Sequence, residues 1–278
     1  MIRIVADTST LYSTAQAKAA GFDVSPLSVT INNQTYREFD EISAEAFVEI
    51  IRQGHLPVSS QPAIGEVAAL YEQYRDDEII NLALADGLSG TYRSAVAAAE
   101  LAENPERITV VNTRTLCGPH RYLVEMAVKL AQEDLSVDEI VKIVEEKMDS
   151  AKSFLIPADF DYLRRGGRLS PLVSYVGQAA NLVPVMTQTE DGCRLSVAGV
   201  RRGFNHAIQF VEKALRKHGI GAGFRICISH AAAPQMAQKA LEMLKTAFPD
   251  CVFEVYLLSP AFITQGGPGC VAVQVIKE

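Results

Sequence analysis

The residue types that could do chemistry are densest at positions 161–170, where the sequence reads Asp-Tyr-Leu-Arg-Arg-Gly-Gly-Arg-Leu-Ser. Guanidinium groups present planar, forked donors that suit carboxylate or phosphate. The two glycines permit a turn and let a ligand or a partner approach the backbone closely. The stretch is therefore either a solvated basic turn or one wall of an anion site, and the rest of the chain must distinguish the two.

The charge distribution favours a localised anionic ligand or an acidic partner surface. From Arg164 to Arg202 there are six arginines against one Glu and one Asp, a local charge of +4 in a chain whose net charge is −7. The negative net charge argues against general nucleic-acid binding.

The composition is typical of a soluble globular protein that is long enough for two domains. The 278 residues are 48% hydrophobic and 21% charged, and no apolar run approaches the roughly 18 residues that span a bilayer. The N-terminus reaches Asp7 too soon for a secretory signal. Five scattered cysteines without Cys-x-x-Cys spacing indicate neither a disulfide framework nor a metal site. We expect a cytoplasmic protein.

The elements of the first half alternate between strands and helices. Apolar runs at Ile2–Ala6, Ile79–Ala85 and Ile108–Val111 each end in a polar turn that precedes a helix, which predicts a parallel, helix-covered sheet. The polar turns 7–10, 89–91 and 113–115 should gather at the carboxyl edge of that sheet, where such folds bind ligands. Because nearly all their groups are hydroxyls or helix N-terminal amides, we expect an anion-binding edge, and the turn at 59–61 is a candidate to join it.

The regular alternation of strands and helices ends in the second half of the chain, which has fewer helices per strand. Apolar runs near 154–156, 182–186, 195–200, 224–229, 252–258 and 271–276 predict an α+β domain with a mixed sheet. We place the parallel-sheet domain at residues 1–155 and the mixed-sheet domain at 156–278. An anion-binding cleft then lies between them, with hydroxyls from the first domain and arginines from the second.

Catalytic motifs of the commoner kinds are weak. The sequence around Ser89 lacks the full spacing of a G-x-S-x-G elbow, and Cys117 three residues before His120 is a weak sign of a nucleophile and base. The glycines at 266–269 are followed by Cys270 and Val271 where a P-loop needs Lys and Ser or Thr. If phosphate chemistry occurs here, the nucleotide arrives on another protein.

Six separated motifs, in this order, resemble those of the DegV family of bacterial fatty-acid-binding proteins, over nearly the whole chain. They lie at residues 5–9, 26–29, 60–66, 87–92, 162–170 and 266–269. The resemblance implies a two-domain protein that holds one long-chain fatty acid between its domains and uses no other cofactor. A separate ATP-dependent fatty acid kinase would phosphorylate the carboxylate, and any contact with a membrane would be transient.

The resemblance also implies roles for particular residues. The hydroxyls of Ser59 and Ser89 would bind the carboxylate, together with the neighbouring Ser60 and Gly90. Supporting or partner-facing roles fall to Arg168, Arg202, Thr264 and Gln265. Within the arginine stretch we expect Gly166 and Gly167 to shape the turn, Arg168 to face the site, and Arg164 and Arg165 to face solvent or a partner.

Two positions depart from the usual family pattern. Ser59 stands where Thr is common, a change that keeps the hydroxyl, and Gln265 stands where His is common. Glutamine forms hydrogen bonds but carries no charge and relays no proton. We therefore expect this change to affect phosphotransfer more than ligand binding. The alternative interpretation is a stand-alone enzyme that acts on a small phosphorylated or carboxylated metabolite in the same cleft.

Overall fold

The computed structural model describes residues 1–170 and 182–278, and its strands form three sheets. The strands are β1 (Ile2–Asp7), β2 (Asp23–Ser25), β3 (Ser28–Ile31), β4 (Gln34–Arg37), β5 (Val58–Ser60), β6 (Glu78–Ala83), β7 (Ile108–Asn112), β8 (Lys152–Ile156), β9 (Leu182–Gln188), β10 (Leu195–Arg202), β11 (Phe224–His230), β12 (Val252–Leu257) and β13 (Val271–Lys277). The helices are α1 (Thr14–Ala19), α2 (Ala44–Arg52), α3 (Ile64–Glu72), α4 (Thr91–Glu100), α5 (Cys117–Leu130), α6 (Val137–Met148), α7 (Phe160–Gly166), α8 (Phe204–Lys217), α9 (Pro234–Ala247) and α10 (Pro260–Gly266).

The first sheet is parallel, with strand order β2-β1-β6-β7. Its strands are rich in Ile, Val, Leu and Ala, and residues 79–85 are all buried, as befits a sheet covered by helices on both faces. Serine side chains cap two helices of this half of the chain: Ser43 accepts from Ala46 N at the start of α2, and Ser136 and Glu139 form a capping box at the start of α6. The predicted parallel-sheet domain is confirmed.

The second sheet is mixed, with strand order β10-β9-β8-β13-β11-β12. Strands β11 and β12 are parallel, and the other neighbouring pairs are antiparallel. Strand β13 lies inside the sheet, between β8 and β11. The predicted mixed sheet is confirmed, and β8, which spans the proposed boundary at 155 and 156, belongs to it.

A small antiparallel sheet with order β4-β3-β5 accompanies the parallel one. A hairpin forms its first two strands, with Asn32 and Asn33 both at positive φ, the backbone that a two-residue hairpin turn requires. The turn expected at 59–61 is wrong in part: Val58–Ser60 is an edge strand that pairs with β3, with Ser59 opposite Val29. Three residues are too few to carry a periodic pattern, so only the pairing reveals the strand.

Two other sequence expectations differ from the structure near polar turns. Residues 8–10 form a short 3-10 turn, and the first α-helix starts only at Thr14, capped by Ser13. The arginine stretch is largely helical: Asp159 caps α7, and the helix ends at Gly167 with φ of 71°. A glycine with left-handed backbone commonly ends a helix, and Gly167 here changes the direction of the chain just before Arg168.

Helices α5 and α10 join the two halves of the chain. Helix α5 packs against β1 and β6 of the parallel sheet and against β11 and β13 of the mixed sheet, while α10 packs against α2, α7, β3 and β5. One buried apolar cluster spans this contact, with Leu84 and Cys117 from the first half and Leu258 and Ile263 from the second. No helix in the described ranges is long and apolar enough to cross a membrane.

Candidate functional site

A cavity of about 350 Å³ lies where α10 meets β5 and the start of α4, and we call it the polar cavity. Its walls are Leu27, Ser59, Ser60, Gln61, Leu84, Leu88, Ser89, Gly90, Arg168, Ala261, Phe262 and Gln265. Residues from both halves of the chain therefore meet here. Ser60 and Gln61 are exposed, so this cavity reaches the protein surface.

Ser59 is held by Gln265 from the opposite wall of the polar cavity. Gln265 Nε2 donates to Ser59 Oγ at 2.9 Å. Because the serine oxygen accepts this bond, its own O–H is free to donate to a third group. Gln265 approaches α7 so closely that a Cβ on Gly166 would lie 2.0 Å from Gln265 Oε1, so a larger residue at position 166 would displace the Gln265 side chain.

Ser89 and Gly90 lie at the N-terminus of α4, where the chain leaves the parallel sheet. Gly90 is the N-cap residue and supplies no side-chain cap, so main-chain N–H groups at this end remain available to an anion. Ser89 Oγ and Thr91 Oγ1 are 2.8 Å apart, and Thr91 N donates to Ser89 Oγ at 3.3 Å. A Cβ on Gly90 would meet Gln61 Oε1 at 1.8 Å, so glycine also permits the close approach of that wall.

Arg168 is the positive charge at the polar cavity. Its guanidinium donates to two main-chain carbonyl oxygens, Leu88 O at 3.0 Å through Nε and Gly166 O at 2.5 Å through Nη1. No carboxylate of residues 1–170 or 182–278 forms an ion pair with it. Burial is the main cause that lowers the pKa of Arg168 below its ordinary value, and the nearby charge of Arg194 lowers this pKa further. A half-buried, uncompensated guanidinium is stabilised by a bound anion.

A second cavity, of about 100 Å³, lies between the two halves of the chain, and we call it the apolar cavity. Its walls include the buried side chains of Cys117, Phe154, Leu163, Met186 and Cys270. It shares Leu84, Leu88, Arg168, Phe262 and Gln265 with the polar cavity. The two cavities are therefore adjacent, and the anion-binding groups lie at one end of an apolar space.

This arrangement suits a molecule with an anionic head and an apolar tail. Hydroxyls, helix N-terminal amides and one arginine surround the head position, and each can donate to a carboxylate. The described walls of the polar cavity contain no Asp, Glu, His, Cys or Lys that could act as a general base or a nucleophile. The geometry supports binding of an anion.

Most of the predicted site residues meet in one place. Ser59, Ser60, Ser89, Gly90, Arg168 and Gln265 all line the polar cavity. Thr264 does not line it, because its side chain is buried and donates to Pro260 O within α10 at 2.9 Å. Leu195 begins β10 and donates its N–H to Arg168 O, so this end of the strand lies beside Arg168. Arg202 lies at the opposite end of β10, and it is exposed. Arg164 and Arg165 are exposed, as expected.

The expectation of a broad anion-binding edge is wrong for two of its three turns. Thr113 donates to Ala83 O at 2.8 Å, and Thr115 donates to Thr113 at 3.2 Å. Asp7 accepts from Leu84 N at 2.8 Å, and Ser9 bonds to His120. These groups are fully buried, and buried backbone groups require such partners. Only the turn with Ser89 reaches the cavity.

Sequence reasoning missed the apolar walls and the role of Gln61. The apolar cavity takes side chains from β8, α7, β9 and α10 as well as from the loops between them, and no periodic pattern links these positions. Gln61 Nε2 donates to Ser94 Oγ at 2.8 Å, which holds it across from Gly90. The adjacent Ser-Ser-Gln run was the only local signal for this wall.

Comparison with known proteins identifies relatives along the whole chain. Residues 1–278 match the family model described as "Uncharacterised protein, DegV family". A DegV domain-containing protein of Staphylococcus aureus strain N315, SA1258, is 29% identical and the alignment covers 99% of this chain and 98% of that protein. The DegV domain-containing protein YteA of Lactococcus lactis is 30% identical over 99% of this chain and 98% of its own length.

Solved structures give the same result for the fold. The Bacillus subtilis DegV, described as a fatty acid binding protein, superposes with a TM-score of 0.87 at 26% identity and covers 100% of this chain and 99% of its own. A Thermus thermophilus DegV family protein, whose structure is described in terms of fatty acid binding, has a TM-score of 0.89, also at 26% identity and with the same coverage. From the match over its full length, this chain belongs to the DegV family.

Proposed function

We propose that the protein binds one long-chain fatty acid and presents its carboxylate to a separate ATP-dependent kinase. The carboxylate occupies the polar cavity, where it accepts from Ser59 and Ser89, with Ser60 and Gly90 beside it. The acyl chain enters the apolar cavity between the two halves of the chain. The observation that carries the proposal is that these two cavities share walls. Hydroxyls and an arginine that has no ion pair with any described carboxylate lie at one end, and buried apolar side chains lie at the other.

The relatives support this choice of ligand. Fatty acid binding is stated for the Bacillus subtilis and Thermus thermophilus proteins, which share the fold over the whole chain. Each buried methylene contributes about 0.8 kcal/mol, so a chain of about 15 methylenes offers roughly 12 kcal/mol before the costs of association and ordering. The tail thus supplies most of the affinity, and the hydroxyls fix the position of the head.

Filling the apolar cavity requires its walls to move. An engineered protein cavity of about 150 Å³ holds one benzene molecule, so a space of about 100 Å³ is too small for a whole acyl chain. Met186 and Phe262 lie in its wall, and methionine is the side chain that adapts most readily to a new neighbour. We therefore expect side chains in the wall of the apolar cavity to change conformation as the acyl chain enters.

We assign phosphorylation to a separate kinase because the glycine-rich segment 266–269 of this protein does not have the residues of a phosphate-binding loop. Gly267 follows α10 with φ of 78° and packs against Tyr162, where an added Cβ would meet the ring at 2.7 Å. The segment shapes a turn, and Cys270 follows it in place of a P-loop Lys. Exposed Ser60 and Gln61 leave the head of the ligand near the surface, where a second protein can reach it.

The five free cysteines suit the cytoplasmic location that the proposal includes.

Native mass spectrometry tests ligand binding directly. Protein purified from bacterial cells should carry an additional mass equal to one long-chain fatty acid, and delipidated protein should take up one palmitate. A protein mass without ligand, together with no uptake of added palmitate, would contradict the proposal.

An activity screen tests the division of labour between carrier and kinase. The protein alone should be inactive toward esters, phosphoesters and nucleotides, whereas the loaded protein, ATP and the fatty acid kinase of its host should together yield acyl phosphate. Turnover of a phosphoester or an ester by the protein alone would favour the stand-alone enzyme instead.

A further inference from the structure

Gln274 is a buried polar side chain in the wall of the apolar cavity. It lies on β13 and is 1% exposed. Its Nε2 donates to Leu116 O at 2.9 Å and to Ser153 Oγ at 3.1 Å. Its Oε1 is buried and has no hydrogen-bond donor among residues 1–170 and 182–278. Rotating the amide would set Oε1 against Leu116 O, two acceptors in contact, so the acceptor faces away from both partners.

A buried acceptor without a donor costs free energy and is uncommon in native proteins. The cavity that Gln274 borders is lined mainly by apolar side chains such as Leu155 and Met186, which offer no hydrogen-bond donor. The polar neighbours do not supply the missing donor: Thr187 Oγ1 donates to Ser153 O at 3.0 Å, and Gln188 Nε2 bonds to Arg114 O and Gly192 O. The position is set up to receive a donor from elsewhere.

Gln274 lies away from the end of the apolar cavity that adjoins the polar one. It pairs with Ser153 in the sheet, and Ser153, Thr187 and Gln188 also border a different, surface cavity of about 390 Å³. None of these residues borders the polar cavity, which shares instead Leu84, Leu88, Arg168, Phe262 and Gln265. A ligand with its carboxylate at Ser59 and Ser89 therefore passes Gln274 with a part of its tail distant from the head.

We propose that Gln274 Oε1 accepts a hydrogen bond from a hydroxyl group on the acyl chain, so that the preferred ligand is a long-chain fatty acid hydroxylated away from its carboxylate. This inference rests on the proposed function and adds a ligand class to it. The partner must be a donor, since the free atom is an acceptor. It must also be neutral, because an ammonium group among these apolar walls would be costly to bury.

Calorimetric titration of the delipidated protein with stearate, 12-hydroxystearate, 2-hydroxystearate, palmitate and 16-hydroxypalmitate tests the inference. At least one of the two distal hydroxy acids should bind about fivefold more tightly than its unsubstituted parent, the effect of one hydrogen bond to a buried acceptor. The hydroxyl at carbon 2 should give no such gain, since it lies beside the carboxylate.

Substitutions assign the effect to Gln274. Gln274→Leu should remove the preference for the distal hydroxyl, while Ser229→Ala, a change of a buried polar residue on β11 that borders neither cavity, should keep it. Equal affinity of parent and distal hydroxy acids in the wild-type protein overturns the inference, whether or not the variants fold. A preference that survives in folded Gln274→Leu also overturns it. Failure of every one of these fatty acids to bind would instead contradict the proposed function itself.

Discussion

Gln265 and Ser59 are 206 positions apart in the sequence, and the 2.9 Å hydrogen bond between them joins α10 to the edge strand β5 across the polar cavity. The bond directs the serine O–H away from Gln265 and toward any third group in the cavity. It also depends on Gly166, because Gln265 Oε1 occupies the space that a Cβ there would need. The orientation of Ser59 thus depends on a glycine in a different helix.

Gly166→Ala should displace Gln265 and weaken fatty acid binding severalfold while the protein remains folded. The clash is with the far end of a flexible side chain, which can rotate away at the cost of its bond to Ser59. Isothermal titration with palmitate and a thermal melt measure the two effects. Gly65→Ala is the matched control, since a Cβ there meets nothing within 4 Å. Equal affinities of the two variants would show that Gln265 has no influence on the site.

Ser59→Ala and Ser89→Ala should each lower the affinity for palmitate about tenfold, because each removes a hydrogen bond to a charged group. The double variant should lose more, with little change in Tm, since both hydroxyls lie in the cavity wall. Ser196→Ala, on β10 and outside both cavities, serves as the control. Unchanged affinity in the double variant would remove both residues from the carboxylate site.

Arg168→Met should weaken palmitate binding about tenfold by removing the charge at the cavity. Arg202→Met should leave this affinity unchanged, because Arg202 is exposed at the other end of β10. If Arg202 contacts the kinase, its variant should instead slow the formation of acyl phosphate. Comparable losses of palmitate affinity in both variants would contradict the separation of these roles.

Glu38 connects the small antiparallel sheet to the start of α10. It is fully buried and accepts from Ala261 N at 2.8 Å and from the hydroxyl of Thr8. Burial raises the pKa of Glu38 to about 7, against the smaller opposing effect of those hydrogen bonds. The folded protein therefore binds this proton more tightly than the unfolded chain, whose glutamates titrate near pH 4.3.

From this sign, the contribution of Glu38 to stability is present below about pH 4.3 and is lost as the pH rises through about 7. The full difference is on the order of 3 kcal/mol in the free energy of unfolding. Glu38→Gln should flatten the fall in stability between pH 5 and pH 8, as measured by urea unfolding at several pH values. Glu146→Gln, an exposed glutamate on α6, should leave the slope unchanged. A parallel pH profile for wild type and Glu38→Gln would contradict a raised pKa.

Features that depend on neighbours in the chain could be predicted from the sequence. Ser136 and Glu139 form their capping box three residues apart, and the Asn32-Asn33 turn joins adjacent strands. The alternation of strands and helices likewise predicted the parallel sheet. The capping box and the turn are each complete within a few residues, and the alternation is read from elements in chain order, so a single sequence contains all three signals.

Features that depend on partners distant in the chain could not be predicted in the same way. Strand β5 exists because it pairs with β3, and the Thr113 hydroxyl is consumed by a carbonyl of β6. Nothing near Thr113 distinguishes it from Ser89, which reaches the cavity. The resemblance to the DegV family pointed to Ser59, Ser89, Arg168 and Gln265, which line the polar cavity. No local sequence pattern identifies Gln274 or the other walls of the apolar cavity.

Phe262 and Gln265 lie on the same short helix, α10, and each borders both cavities. A tail that fills the apolar space and a protein that docks over the head position therefore contact one helix from two sides. Under the proposed function, occupancy and docking become thermodynamically linked: a partner that prefers the loaded form must, to the same degree, tighten the hold on the ligand. Such a carrier would have its lowest dissociation constant for the fatty acid in the complex with the partner.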